Sequence, residues 1–507
     1  MTEITRRDFL KSMGALASMA LLPGVASRLG GNFKQGTNTS KPNIVILLFD
    51  AMSARNLSLY GYPRQTSPNM ERFAERATVY HSHISGGNYT IPGVASLLTG
   101  TYSWTNRAIN HSGVMRRDMV SHNLFNAIGS DYQRITFPQS VWANFIVTQF
   151  LNDVDTYLPP GIFSELDYLL FEHFPNDANM ALRSLDDFAF DITQLPVSPV
   201  MGTIQRALYS RDSAQLPSYG YPNGVPHNVN YPLRFRLDEL FAGVNSLVKD
   251  QAGPFISYIH LFPPHSPYRP THTFFNQFND GWAPVEKPVH RFSDNASDGK
   301  VRNARRVYDE YVASVDLELG RLLDSFEAGG VFENSYVILT SDHGEMFERG
   351  EIAHSTPLLY DPVIHIPLLI SAPGQTTRED IHAPTSAIDL LPTLANIAGQ
   401  PIPDWCEGAL LPGLGGEEDE ERSVYAVEAK SNPAFGPLNQ ATVAMRKGNL
   451  KLIYYTGYEA EESFEFYDLQ NDGEELKDLN PDNPSELKRM KDELLDTLDR
   501  VNKPYTR

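Results

Sequence analysis

One cysteine, Cys406, stands in 507 residues, so no intrachain disulfide can form and no cysteine-rich zinc or iron–sulfur site is available. Basic residues are scarce beside acids: 42 Lys and Arg against 62 Asp and Glu give a formal charge of −20. That balance argues against nucleic acid or an anionic membrane as a general partner, since either needs a basic footprint. No hydrophobic run is long enough to span a bilayer comfortably, and no internal repeat or long low-complexity tract is visible. What is present is ordinary globular composition, 41% hydrophobic and 21% charged, which excludes a mostly disordered chain. At roughly 150 residues per domain, the length admits about three domains or one large α/β domain with additions.

The chain opens on Thr5-Arg6-Arg7-Asp8-Phe9-Leu10-Lys11, followed by an apolar run from Met13 to Leu22 and small residues at Gly24-Val25-Ala26. A basic start, a short apolar stretch and a small-residue end make a secretory signal. The paired arginines ahead of Phe-Leu-Lys resemble a twin-arginine signal. Residues 1–28 are therefore expected to direct export by the twin-arginine (Tat) machinery to the periplasm or the exterior. The mature chain is expected to carry no transmembrane anchor, and residues 29–41 read as a flexible lead-in.

Asn43–Phe49 is a continuous apolar run ending at Asp50, the pattern of a strand buried on both faces of a parallel sheet. Similar runs lie at Phe255–Leu261, Tyr336–Thr340 and Ile366–Ser371. Helical stretches fall between them, notably Pro68–Ala77 with Ser67 as N-cap, and Arg302–Phe326. Strands alternating with helices predict an α/β fold, a mainly parallel central sheet flanked by helices, over residues 42–414. Residues 145–250, rich in Phe, Tyr, Pro and Asn, read as an insertion that shapes a pocket. After the acidic loop Gly415–Arg422, short strands at Ser423–Val427, Gln440–Met445, Asn449–Tyr455 and Phe464–Leu469 precede a helix over Ser485–Val501. They predict a smaller C-terminal α+β subdomain of antiparallel sheet and helix over residues 415–507.

In such sheets ligands sit at the carboxyl ends of the strands, where Asp50 and Asp342 fall. Thr90 is expected to cap a helix whose first turn holds Pro92 and whose apolar residues run to Leu98. A hydroxyl there faces unpaired N–H groups and suits an anionic ester, although taken alone it is only a cap. Asp342-His343-Gly344 follows a predicted strand and offers a hard oxygen and an imidazole nitrogen, a combination suited to a divalent metal, with Gly344 letting the backbone turn. Alone it could equally be an ordinary turn. His265, in a proline-stiffened loop, and His354 are placed to donate to an anionic ester or protonate a leaving oxygen.

In combination these segments resemble the sulfatase family of the alkaline phosphatase superfamily over essentially all of residues 42–480. The blocks run in family order. They are Ile46–Asp50, Tyr60–Asn69, Thr90-Ile91-Pro92 with Ser96–Gly100, Pro264–Tyr268, and Tyr311–Leu323 with Asp316, then Ser341–Glu345, Ile366–Leu368, Asp389–Leu394 and Phe466–Leu469. The resemblance implies an alkaline-phosphatase-like fold. It makes Thr90 the nucleophile position and a metal ligand, gives the other metal positions to Asp50, Asp342 and His343, and matches His265 and His354 to residues that contact substrate or leaving group. The implied cofactor is a divalent metal ion, with Mg, Mn, Ca and Zn all suited to these donors.

Two departures from the family pattern bear on the chemistry. Formylglycine sulfatases carry Cys or Ser where this chain has Thr90, and Arg where it has Val94. Threonine cannot yield the aldehyde, because its β-carbon already bears a methyl. Ala51 stands where those enzymes usually have a second metal-binding Asp. The remaining set is similar to that of phosphoglycerol and phosphoethanolamine transferases, which form a phospho-threonine. The expectation is therefore metal-dependent phosphoryl transfer through Thr90 on a phosphodiester or other phospho-group, with a small molecule, surface glycan or lipid headgroup as the anionic substrate. The alternatives are a sulfatase working without formylglycine and a catalytically silent binding protein on the same fold.

Overall fold

The computed structural model describes residues 41–164, 220–228, 233–482 and 485–506. The export signal and the flexible lead-in through residue 40, and much of the expected insertion, lie outside the described residues. Eight strands form the central sheet. In chain order they are β1 (Asn43–Asp50), β2 (Thr78–Tyr80), β3 (Gln133–Pro138), β4 (Thr156–Tyr157), β5 (Phe255–Pro264), β6 (Ser335–Ser341), β7 (Leu368–Ser371) and β8 (Glu379–Ile381). Their spatial order is β8-β2-β7-β6-β1-β5-β3-β4. All pairings are parallel except those of β7, which runs antiparallel to both β2 and β6. The apolar run ending at Ser371 thus reads like its parallel neighbours but points the other way. Burial on both faces makes any strand apolar throughout, so the pattern carries no direction.

β1 lies at the centre, between β5 and β6, and its side chains alternate between two cores. Val45, Leu47 and Phe49 join one cluster with Tyr308, Val312 and Leu319. Ile44, Ile46 and Leu48 join the other with Ile91, Val94 and Leu98. One helical layer therefore comes from Asp298–Ala328 and the opposite one from Thr90–Thr99. These two helices hold the sheet from either side while the strand ends stay open to the site.

The helix Pro68–Ala74 (α1) starts where expected, but Ser67 does not cap it. Ser67 Oγ is engaged by the Leu59 amide at 3.2 Å, so it is not free to turn back on its own helix. The cap comes instead from the long helix: the Asp316 carboxylate accepts from the amides of Asn69 at 2.9 Å and Met70 at 3.0 Å, and from the Asn69 side chain at 2.9 Å. A buried acid at a helix N-terminus satisfies donors the helix cannot satisfy itself.

The C-terminal strands β9 (Ser423–Glu428), β10 (Ala441–Lys447), β11 (Leu450–Thr456) and β12 (Ser463–Asp468) form an antiparallel sheet in chain order. Its period-two alternation splits it between two partners. Val427, Val443, Met445 and Leu452 pack on the amphipathic helix Ser485–Asn502 through Met490, Leu494 and Leu498. Val424, Ala426, Ala444 and Ile453 face Met346, Leu359 and Val363 of the larger region. Lys451, wholly buried, is held by Asp361 at 2.8 Å and Glu475 at 2.6 Å.

Asp316→Ala leaves two amides at the start of α1 without an acceptor, and is expected to destabilise the protein by about 1–3 kcal/mol. Asp316→Asn, which keeps one oxygen, should lose less. Denaturant unfolding of the three proteins checks this, and an unchanged midpoint for Asp316→Ala would remove the cap assignment.

Candidate active site

β1 ends on Asp50, where its register with β5 shifts, and the chain turns at once through Ala51 at φ 63°. A non-glycine residue in this left-handed region is held there by its surroundings. The Ala51 amide donates to Asp342 Oδ1 at 3.2 Å, its carbonyl accepts from the Tyr308 hydroxyl at 2.7 Å, and the Met52 amide donates to Ser341 Oγ at 3.0 Å. The turn after one strand is therefore tied to the residues ending the next. This brings Asp50 and Asp342 side by side, both fully enclosed.

Thr90 enters from the other side. It is the first residue of its helix, after Tyr89 as N-cap, and makes no capping bond. The expected cap is thus corrected: Thr90 Oγ1 is turned toward the strand ends, 3.5 Å from Asp50 Oδ1 and 3.4 Å from His343 Nε2. Two glycines permit close backbone packing around the site. A Cβ on Gly93 would meet the Asp342 carbonyl oxygen at 2.4 Å, and one on Gly344 would meet the Pro362 carbonyl oxygen at 2.1 Å. Gly344 is needed for that close contact rather than for the turn expected from sequence.

His343 Nδ1 donates to the Gly344 carbonyl at 2.8 Å, which aims Nε2 at the acids. Nε2 lies 3.4 Å from Asp50 Oδ1 and 3.5 Å from Asp342 Oδ2. Donor atoms of Asp50, Asp342 and His343 all fall within 4.8 Å of one another. The electrostatics show what the cluster needs. Burial alone would raise the Asp50 pKa, but His265, His260 and His343 outweigh it and hold the carboxyl well below its ordinary value. Burial, and then the neighbouring Asp50 charge, raise Asp342. Burial opposes the charged form of His343, yet Asp342 and Asp50 lift its pKa to about 9. Asp342 Oδ2 is buried with no hydrogen-bond partner. An orphaned carboxylate oxygen beside a second buried acid, an imidazole nitrogen and a hydroxyl fits a divalent cation, whose charge would offset the repulsion.

His265 and His354 complete the cluster. Their rings are 5.0 Å apart, and His354 lies 4.3 Å from the His343 ring. His265 Nδ1 donates to the Ser266 carbonyl at 2.7 Å, and burial lowers the pKa of its imidazole despite Asp50. The structure thus gathers all six residues singled out in the sequence, drawn from the ends of β1, β5 and β6, one helix start and one hairpin. That hairpin, Met346–Glu348 paired with Glu351–Ala353, carries His354 back to Glu345. His354 Nδ1 meets Glu345 Oε1 at 3.0 Å, a contact that orients the ring and occupies that nitrogen.

Three residues with no task assigned from the sequence also belong here. Glu345 orients His354. Asn88 donates at 2.7 Å to both the His354 and Thr356 carbonyls and so fixes the loop that follows the hairpin. His260 reaches Asp50 Oδ2 at 3.3 Å. The available signals were a glutamate inside an already notable motif, and a histidine interrupting an apolar strand.

The family model for sulfatases matches residues 42–136 and 205–400, and that for the C-terminal part of N-sulphoglucosamine sulphohydrolase matches residues 354–503. A choline-sulfatase of Rhizobium meliloti is 29% identical over 88% of this chain and 84% of its own. An arylsulfatase of Clostridium perfringens is 23% identical over 87% and 90%. Among solved structures, a phosphonate monoester hydrolase from Silicibacter pomeroyi superposes with a TM-score of 0.64 at 20% identity, covering 91% of this chain and 96% of that one.

With its pKa raised to about 9, His343 holds a proton through neutral pH in the metal-free protein and must give it up to become a ligand. Loading a divalent ion at pH 7.5 should therefore release about one proton, and the apparent affinity should climb with pH up to about 9 and then level off. Calorimetry in buffers of differing ionisation enthalpy measures this, and an affinity flat from pH 6 to 9 would contradict it.

Proposed function

Because the chain belongs to the sulfatase family, we propose that it is a metal-dependent hydrolase of anionic esters in which Thr90 forms the covalent intermediate, with a phosphodiester or phosphonate ester as the preferred substrate class. The observation that carries this reading is the place of Thr90 Oγ1, 3.4–3.5 Å from His343 and Asp50, where strand ends and its helix start converge. Asp50, Asp342, His343 and Thr90 would hold the cation. When bound, it supplies the positive charge that favours the Thr90 alkoxide and offsets charge on the ester oxygens.

Thr90 gives up its hydroxyl proton to solvent, and its Oγ attacks the phosphorus of the ester, forming a new P–O bond while the bond to the departing alkoxide breaks. His354, steadied by Glu345, gives that oxygen its proton. The Thr90 ester carries no second oxygen on its β-carbon, so it is released only by displacement at phosphorus, with water or another hydroxyl as the acceptor. Water returns the free threonine and an acid. An alcohol acceptor makes the same site a transferase.

A sulfate ester is the second reading. It is favoured by relatives that carry sulfatase names and by the match of residues 354–503 to the C-terminal sulphohydrolase model. Thr90 would then act without formylglycine. We further propose export by the Tat machinery to the periplasm or exterior, which rests on the Arg6-Arg7 segment. Replacing both arginines by lysine should retain the protein inside the cell, as read by fractionation.

Metal-loaded enzyme assayed on aryl phosphodiesters, phosphonate monoesters, phosphomonoesters and sulfate esters separates the two substrate readings. Turnover of the phosphorus esters by at least about tenfold over sulfate is expected, and turnover of sulfate esters alone would transfer the assignment to the second reading. Thr90→Ala should lower kcat by about a thousandfold or more on every substrate, while Thr90→Ser keeps measurable activity.

A further inference from the structure

Resting on the cation site proposed above, we infer that His260 is a positioning residue that fixes one oxygen of Asp50 and thereby decides which oxygen faces the cation and the nucleophile. His260 lies on β5 beside β1, in register with Leu48, and its side chain is fully buried. Tyr258, two residues earlier, projects from the same face of the strand. Its hydroxyl is 3.0 Å from His260 Nδ1. A buried phenol needs an acceptor for its proton, and this nitrogen is at hand. Tyr258 therefore donates to Nδ1, which assigns the ring proton to Nε2.

That nitrogen lies 3.3 Å from Asp50 Oδ2 and 3.9 Å from Asp342 Oδ2. The nearer oxygen receives its hydrogen bond. Asp50 is thus divided in function. Oδ2 is held by the Tyr258–His260 pair, and Oδ1 points to His343 Nε2 at 3.4 Å and Thr90 Oγ1 at 3.5 Å. A carboxylate fixed in this way meets a cation with one oxygen in a set orientation, and outer partners of this kind govern metal affinity as well as geometry. The two imidazoles flanking the acids consequently do different work. His343, with Nδ1 engaged by the Gly344 carbonyl, would offer Nε2 to the cation once that nitrogen has given up its proton, while His260 presents a proton.

The test uses the full-length mature protein stripped of metal, with Mn²⁺ and Zn²⁺ alone as probes. His260→Ala is expected to weaken binding of both ions by about 10- to 100-fold. His260→Gln, whose amide can still donate to Asp50, should recover most of that loss, and Tyr258→Phe should fall between. X-ray absorption of the Zn²⁺ protein should show the same number of imidazole ligands with and without His260. An affinity within about twofold of wild type for His260→Ala, a glutamine variant no better than alanine, or loss of an imidazole from the metal shell would each overturn the assignment. If His260→Ala fails to fold, His260→Gln and Tyr258→Phe decide the matter by the same criteria. Absence of binding to the wild-type protein overturns the cation site itself, whereas wild-type binding unaffected by the variants overturns the His260 role alone.

Discussion

Two carboxylates buried side by side constrain everything around them. Asp50 and Asp342 are both removed from water, and neither has an arginine or lysine beside it among the described residues. Taking one such charge out of water costs several kcal/mol, and a second nearby raises that cost. The fold answers with imidazoles and hydroxyls rather than fixed cations. His343 and His260 flank the pair, His265 adds a third ring, and Thr90 closes the open side. A lysine in this place would have neutralised the acids permanently. Imidazoles leave the charge open to exchange, which is the property a cation-dependent site needs.

The sheet supplies the rigidity this arrangement demands. β1 is the central strand, its side chains alternate into two cores, and its last residue is the acid. The strain of Ala51 at a positive φ is sustained because its amide and carbonyl are both bonded to neighbouring elements. Packing of Gly93 against the Asp342 backbone sets how near Thr90 can come to the acids. Close packing at the strand ends therefore fixes charge separation, and charge separation in turn fixes what the site can bind.

Much of this was legible in the sequence, and the exceptions share a cause. Asp50, Thr90, Asp342, His343, His265 and His354 were named because each stands at a strand end, a helix start or a loop, where local pattern speaks. The four C-terminal strands and their helix were read to within about two residues, since alternation and amphipathic periodicity are local properties. His260 was missed because its partner is set by the register of β5 against β1, which no stretch of one strand contains. The direction of β7 was missed for the same reason. Ser67 was read as a cap because serine before proline is a local signal, but an acid from a helix about 250 residues away holds that position. Glu345 sat within a recognised motif yet had no task until the hairpin returned His354 to it.

The loop after that hairpin has a position of its own in the architecture. Residues 354–356 are fastened from two directions: by Asn88, next to the helix that begins at Thr90, and by Lys430, which follows β9 and bonds the Ser355 carbonyl at 2.5 Å. The group proposed to serve the departing alcohol is thus anchored partly outside the central sheet, whereas the acids end its strands and the threonine starts a helix packed on its face. Substitutions in the C-terminal sheet or in this loop can accordingly shift His354 while leaving Asp50, Asp342 and Thr90 in place. Such a division would let the choice of alcohol change without disturbing the charge balance between the two acids.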